Sequence, residues 1–132
     1  MVITALMMLL APESVSAQDK NLVVRIAKLQ IDSVQLDQYK AALKEQAEIA
    51  VRVEPGVLTL YAVYEKNKPT HVTVFEIYAN ADAYKSHLET SHFKKYKNTT
   101  KDMVKSLELI ETVPIALETK QDAKKKLELK NR

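Results

Sequence analysis

Two β-rich runs separated by only four residues constrain this chain more than any other feature. Residues 57–65 (VLTLYAVYE) and 70–78 (THVTVFEIY) are dense in Val, Ile, Thr and aromatic side chains, which suit a pleated, half-buried surface. Lys66-Asn67-Lys68-Pro69 between them is a polar turn, so the two runs read as an antiparallel hairpin. Side chains along a strand alternate between its two faces. Here both alternating sets are rich in apolar groups, so both faces of the hairpin need cover. Helices on one side cover one face; a second sheet packed against the other is the simplest way to cover the rest. With 132 residues, 46% apolar side chains and one glycine, the chain is expected to form one domain with an ordinary core.

The other elements follow from periodicity. Residues 22–29 (LVVRIAKL) read as a strand. Asp32-Ser33 is a helix-start signal. Leu36, Tyr39, Leu43, Ala47, Ala50 and Val53 then recur at steps of three and four, the stripe of an amphipathic helix. Glu54 precedes Pro55 and is pushed out of the α region, which ends that helix. Gly56, the single glycine, stands where the chain turns into the next strand, and a positive φ is the expected reason. After the hairpin a helical region is expected from Asn80 to about Lys105, with Asn80 as N-cap. Phe93, Tyr96, Thr100 and Met103 give it a second apolar-leaning face. Residues 107–117 read as the last strand, and Pro114, which cannot donate to a ladder, places its end at an edge or bulge. The order β-α-β-β-α-β predicts an α+β, ferredoxin-like fold with a four-stranded antiparallel sheet, and sheet-to-sheet packing predicts a homodimer.

The ends differ in character from the body. Residues 1–17 resemble a secretory signal: Ile3 to Ala11 is an apolar stretch too short to span a bilayer, and Val15-Ser16-Ala17 has the small residues of a cleavage site. No Lys or Arg precedes the apolar run. The expectation is an exported protein, periplasmic or in the cell envelope, with residues 18–118 as the domain and no stable membrane insertion after cleavage. The alternative is a cytoplasmic protein with a buried N-terminal segment. Residues 119–132 form a basic tail. Lys120, Lys124, Lys125, Lys126, Lys130 and Arg132 outnumber Asp122 and Glu128 there by four, while the whole chain carries only +3. The body is therefore close to neutral, and charge gives no argument for nucleic-acid binding. Cysteine is absent, which excludes disulfides, thiolate nucleophiles and Cys-ligated metals.

The constellation with chemistry in it lies in residues 75–93 (FEIYANADAYKSHLETSHF). His87 is a candidate general base, because an imidazole changes protonation near neutral pH; a half-buried structural histidine is the plain alternative. His92, five residues on, shares a site with His87 only if the helix breaks near Thr90. It reads equally as pocket lining or as a residue that packs the next helical piece. Glu76 sits among Val72, Val74 and Tyr78 on one strand face, where a carboxylate must be paired or carry a raised pKa. It could orient a histidine or pair with Arg25 on the neighbouring strand. His71, near the hairpin turn, reads as a surface residue. Tyr78, Tyr84, Phe93 and Tyr96 could stack on a flat ligand, and Tyr39, Tyr61 and Tyr64 add to the aromatic supply; core packing is the common fate of such residues. The histidine spacings match no metal motif, and no Gly-rich loop marks a nucleotide or flavin site.

A strand Glu76, an aromatic two residues later, a polar cap, then Ala83-Tyr84-x-x-His87 and Thr90-Ser91-His92-Phe93 resemble the antibiotic biosynthesis monooxygenase family. Glu54-Pro55-Gly56-Val57 is a second matching piece, and the resemblance runs from about Leu22 to about Val113. It implies a dimeric α+β barrel. It also implies a cofactor-independent monooxygenase that oxidises a quinol or polyhydroxylated aromatic with O2. In that reading His87, His92 and Glu76 do the catalysis, Arg25, Tyr78, Tyr84, Phe93 and Tyr96 bind substrate, and no metal or other cofactor is needed. Haem-degrading relatives usually use an Asn, a His and a Trp, and Trp is absent here. Two other readings remain open: a non-oxidative, isomerase-like enzyme on a small carbonyl compound, and a non-catalytic ligand-binding or stress-related dimer.

Overall fold

The computed structural model describes residues 21–132; the expected signal at residues 1–17 lies outside them. Strand β1 (Val23–Ile31) leads through a short 3-10 turn, Ser33–Gln35, into helix α1 (Leu36–Val53). The hairpin follows as β2 (Val57–Glu65) and β3 (Lys68–Tyr78). Helices α2 (Ala81–Leu88) and α3 (Ser91–Thr100), strand β4 (Val104–Thr112) and helix α4 (Lys120–Lys130) complete the chain. The sheet is antiparallel throughout, in the order β2-β3-β1-β4. This is the ferredoxin-like arrangement that the sequence predicts.

Polar side chains punctuate the helices. The Asp32 carboxylate accepts from the Val34 N–H at 3.0 Å and opens the turn before α1. The Asn80 Oδ1 accepts from the Ala83 N–H at 2.8 Å and caps α2. The Thr90 Oγ1 accepts from the Phe93 N–H at 3.3 Å and starts α3. Each satisfies one of the orphan N–H groups of a helix start.

Three expectations need correction. The helical region stops short of Lys105: it breaks at Glu89 and Thr90, where a second segment is expected to open, and ends at Thr100, where the Met103 N–H bonds the Thr100 carbonyl and turns the chain. The last strand occupies 104–112 rather than 107–117, because β1 continues to Ile31 and Ile31 pairs with Val104 across a bulge. The strand stops before Pro114, which has no N–H to extend the ladder. Gly56 does not have a positive φ. Its reason is steric: a Cβ there would stand 2.4 Å from the Ala83 Cβ.

Register sorts the two sheet faces. On the inner face Ala27, Leu29, Ile31, Val72, Val74 and Leu60 pack with Tyr39, Leu43 and Ala50 of α1 in one core. The Tyr39 hydroxyl, fully buried, meets the Tyr96 hydroxyl at 2.8 Å and ties α1 to α3. Burial pushes the Tyr39 pKa well above the ordinary phenol range. On the outer face Tyr61, Phe75, Ile26 and Ile110 stand side by side across all four strands. Tyr61 is 64% exposed and its neighbour Val63 is 62% exposed. Among the described helices none is long and apolar enough to cross a membrane.

Candidate active site

The inner face is only part-filled. Between it and helices α1, α2 and α3 lies a cavity of about 540 Å³. Its floor is Arg25, Ala27 and Leu29 from β1, Val74, Glu76 and Tyr78 from β3, Leu60 from β2, and Leu107 and Leu109 from β4. Leu43 and Gln46 of α1, Tyr84 and Leu88 of α2, and Phe93, Tyr96 and Thr100 of α3 form the roof. Every substrate-binding residue expected from the sequence, Arg25, Tyr78, Tyr84, Phe93 and Tyr96, is on this wall, and so is Glu76.

Among the described residues Glu76 is the one carboxylate on the lining. Register puts it beside Arg25 of β1 and Leu60 of β2, on the face that looks at the helices. The Tyr78 hydroxyl, two residues on and therefore on the same strand face, donates to its Oε2 at 3.1 Å. Burial raises the Glu76 pKa; the bond from Tyr78 and the nearby His87 and Arg25 oppose that rise in part. Burial, helped by the Glu76 charge, likewise pushes the Tyr78 phenol far above its ordinary range. The Arg25 guanidinium lies over the Tyr84 ring, 4.3 Å from its centroid, a cation–π contact.

The two histidines do come together. The break at Thr90 turns α3 so that the His87 and His92 rings stand 6.1 Å apart. Neither lines the cavity. His87 sits beside it, 5.4 Å from the Tyr78 ring and 4.9 Å from the Phe93 ring. What joins them is Glu54, which the sequence marks as a helix terminator and as part of the family-like Glu54-Pro55-Gly56-Val57 piece but not as a site residue. Its Oε2 is 2.8 Å from His87 Nδ1 and 2.6 Å from His92 Nε2. A carboxylate only accepts hydrogen bonds, so both of those nitrogens carry the protons. In a neutral His87 ring the lone pair is then on Nε2, which is buried without a partner among the described residues. Glu54 had one signal in the sequence: a negative charge at a helix C-terminus opposes the macrodipole and calls for a compensating partner.

Glu54, His87 and His92 also form a potential metal donor set, with their three ligand atoms within 4.8 Å of one another. Two nitrogens touching the same oxygen at hydrogen-bond distance are closer than neighbouring ligands of a tetrahedral ion, about 3.3 Å apart for bonds of about 2.0 Å. As folded, the trio is a hydrogen-bonded one, and a metal would have to spread it.

A ferredoxin-like α+β fold with an aromatic-walled cavity between sheet and helices is the class these features define. The chain belongs to the antibiotic biosynthesis monooxygenase family, whose sequence profile matches residues 22–99. A protein from Bacteriodes thetaiotaomicron VPI-5482, provisionally designated an antibiotic biosynthesis monooxygenase, is 53% identical; the match covers 77% of this chain and 99% of that one, with a TM-score of 0.76. A provisionally designated monooxygenase from Lactobacillus acidophilus NCFM is 29% identical over 71% of this chain and 44% of its own length, with a TM-score of 0.68. A protein from Nitrosomonas europaea with the same provisional family designation shares the fold at 19% identity and a TM-score of 0.69, covering 75% of this chain and 95% of that one. No curated protein matches the chain.

Proposed function

We propose that the protein is a cofactor-independent monooxygenase that oxidises a quinol or polyhydroxylated aromatic with O2. Family membership supports a monooxygenase-type function; the observation that carries the finer reading is Glu76, a half-buried carboxylate and the one such group among the described residues lining a cavity walled by aromatic rings. An electron-rich phenol reduces O2 only once it is deprotonated. A carboxylate with a raised pKa is a stronger base than one in water, and the apolar wall keeps competing water out. The overall balance for a hydroquinone is one O2 consumed, one oxygen atom placed on a ring carbon to give the hydroxyquinone, and the other released as water. In this reading Glu76 takes the hydroxyl proton, and His87 Nε2, fixed in its tautomer by Glu54, is the second acceptor close to it.

The functional unit in this reading is a homodimer. The row Tyr61, Phe75, Ile26 and Ile110 is apolar across the whole sheet, and a second copy of the same face covers it.

The test is oxygen consumption with a menadiol-type quinol. Wild type should consume O2 in step with quinone formation, and Glu76→Gln should lower turnover by ~10²–10⁴-fold, the worth of a positioned base. A folded Glu76→Gln protein with wild-type turnover would remove Glu76 from the chemistry. Deuterium exchange into a small keto compound without O2 uptake would move the protein to the isomerase-like class.

A further inference from the structure

Two buried polar atoms on the cavity wall lack partners, and they make opposite demands. Arg25 Nε is a donor without an acceptor, and Gln46 Oε1 is an acceptor without a donor, among the described residues. Arg25 is 8% exposed and Gln46 is 4% exposed, and both line the cavity. A buried polar atom left unpaired carries a desolvation penalty that a bound group of the right kind removes.

Arg25 also makes no direct ion pair among the described residues, although Glu76 is near enough to feel its charge. Its same-face neighbours across the ladders are Glu76 and Glu111. Glu76 takes its bond from Tyr78, and Glu111 is exposed to solvent. The guanidinium stacks on Tyr84 instead, and a stacked guanidinium keeps its in-plane N–H donors for a planar anion. At the rim Lys97, Lys101 and Lys105 add three exposed cations, which favour the approach of an anion.

We propose that the cavity takes a hydroxylated aromatic carboxylate. Its carboxylate accepts from Arg25, its ring lies against Tyr84, Phe93 and Tyr96, and a hydroxyl donates to Gln46 Oε1. The proposal rests on the reading of this cavity as the substrate site and narrows the substrate class from any electron-rich aromatic to an acidic one.

Isothermal titration calorimetry with 6-hydroxy-2-naphthoate, 2-naphthol and 2-naphthoate separates the parts. The hydroxy acid should bind ~10-fold or more tighter than 2-naphthol, the worth of a charged hydrogen bond, and several-fold tighter than 2-naphthoate. Arg25→Met should erase the first preference and Gln46→Leu the second. Neither unpaired atom, Arg25 Nε or Gln46 Oε1, gives up a hydrogen bond to protein, and Arg25→Met keeps an apolar chain against the Tyr84 ring, so both variants should melt within a few degrees of wild type. A collapse of Tm in Arg25→Met would show that the cation is already paired, for instance across a subunit contact, and would overturn the proposal. Equal binding of all three compounds would overturn it too while leaving the cavity as a ligand site. Binding of none would remove the cavity reading and the oxidation with it.

Discussion

Glu76 and Glu54 are both half-hidden carboxylates, yet the fold treats them differently. Glu54 satisfies two imidazole N–H groups; Glu76 has one phenol and a largely apolar wall. Glu54→Ala should therefore act on stability. It leaves the His87 and His92 donors without an acceptor, at a cost of about 1–3 kcal/mol for each buried group left unpaired, readable as a lower midpoint in urea. Glu76→Gln should act on pH dependence. Its pKa is raised in the fold above the ordinary 4.5, so between the unfolded and folded values the native state holds the extra proton. Stability then falls as pH rises through that window. Wild type should lose Tm relative to Glu76→Gln as pH climbs from about 4.5 towards neutrality, and a constant difference across that range would contradict it. Catalytic turnover should move the other way, rising with pH as Glu76 ionises.

The elements show what sequence pattern reveals and what it hides. The hairpin, the α1 stripe and the Asn80 cap were legible because each depends on neighbours a few residues apart. So were the aromatic residues of the pocket, which share one segment. The ends of β1 and β4 were not, since they depend on Ile31 meeting Val104 across a bulge, a pairing no local pattern contains. Glu54 escaped for a similar reason: its partners lie 33 and 38 residues away. Thr90 is the hinge of the site, and Thr90→Ala should cost about 1 kcal/mol. It should also lower the population in which His92 reaches Glu54, visible as a change in the His92 ring signals by NMR. Helix α4 is the opposite case. Thr119 caps it, but no residue of it is buried, and an 11-residue helix has little stability of its own. Removal of residues 119–132 should shift Tm by no more than about a degree or two, within the range of neutral surface changes.

For the molecule as a whole, the open question of the sheet is what covers its second face. The apolar row through Phe75 crosses all four strands, and in the proposed dimer a copy of the same face covers it. Phe75→Glu should yield a folded monomer by sedimentation, with the cavity intact because Phe75 points away from it. If the protein is a dimer that this change leaves unaltered, the subunits meet elsewhere.

The tight approach of Gly56 to Ala83 sets where the chain tolerates engineering. Glu54 and His87 belong to the two segments that meet there, so the carboxylate-to-imidazole distance is gauged by the two smallest side chains available. An inserted residue or an epitope between 54 and 57 would force those segments apart. A graft between Lys66 and Asn67, at the exposed hairpin tip, would leave them untouched. A split-protein or biosensor design based on this scaffold should open the chain at that tip.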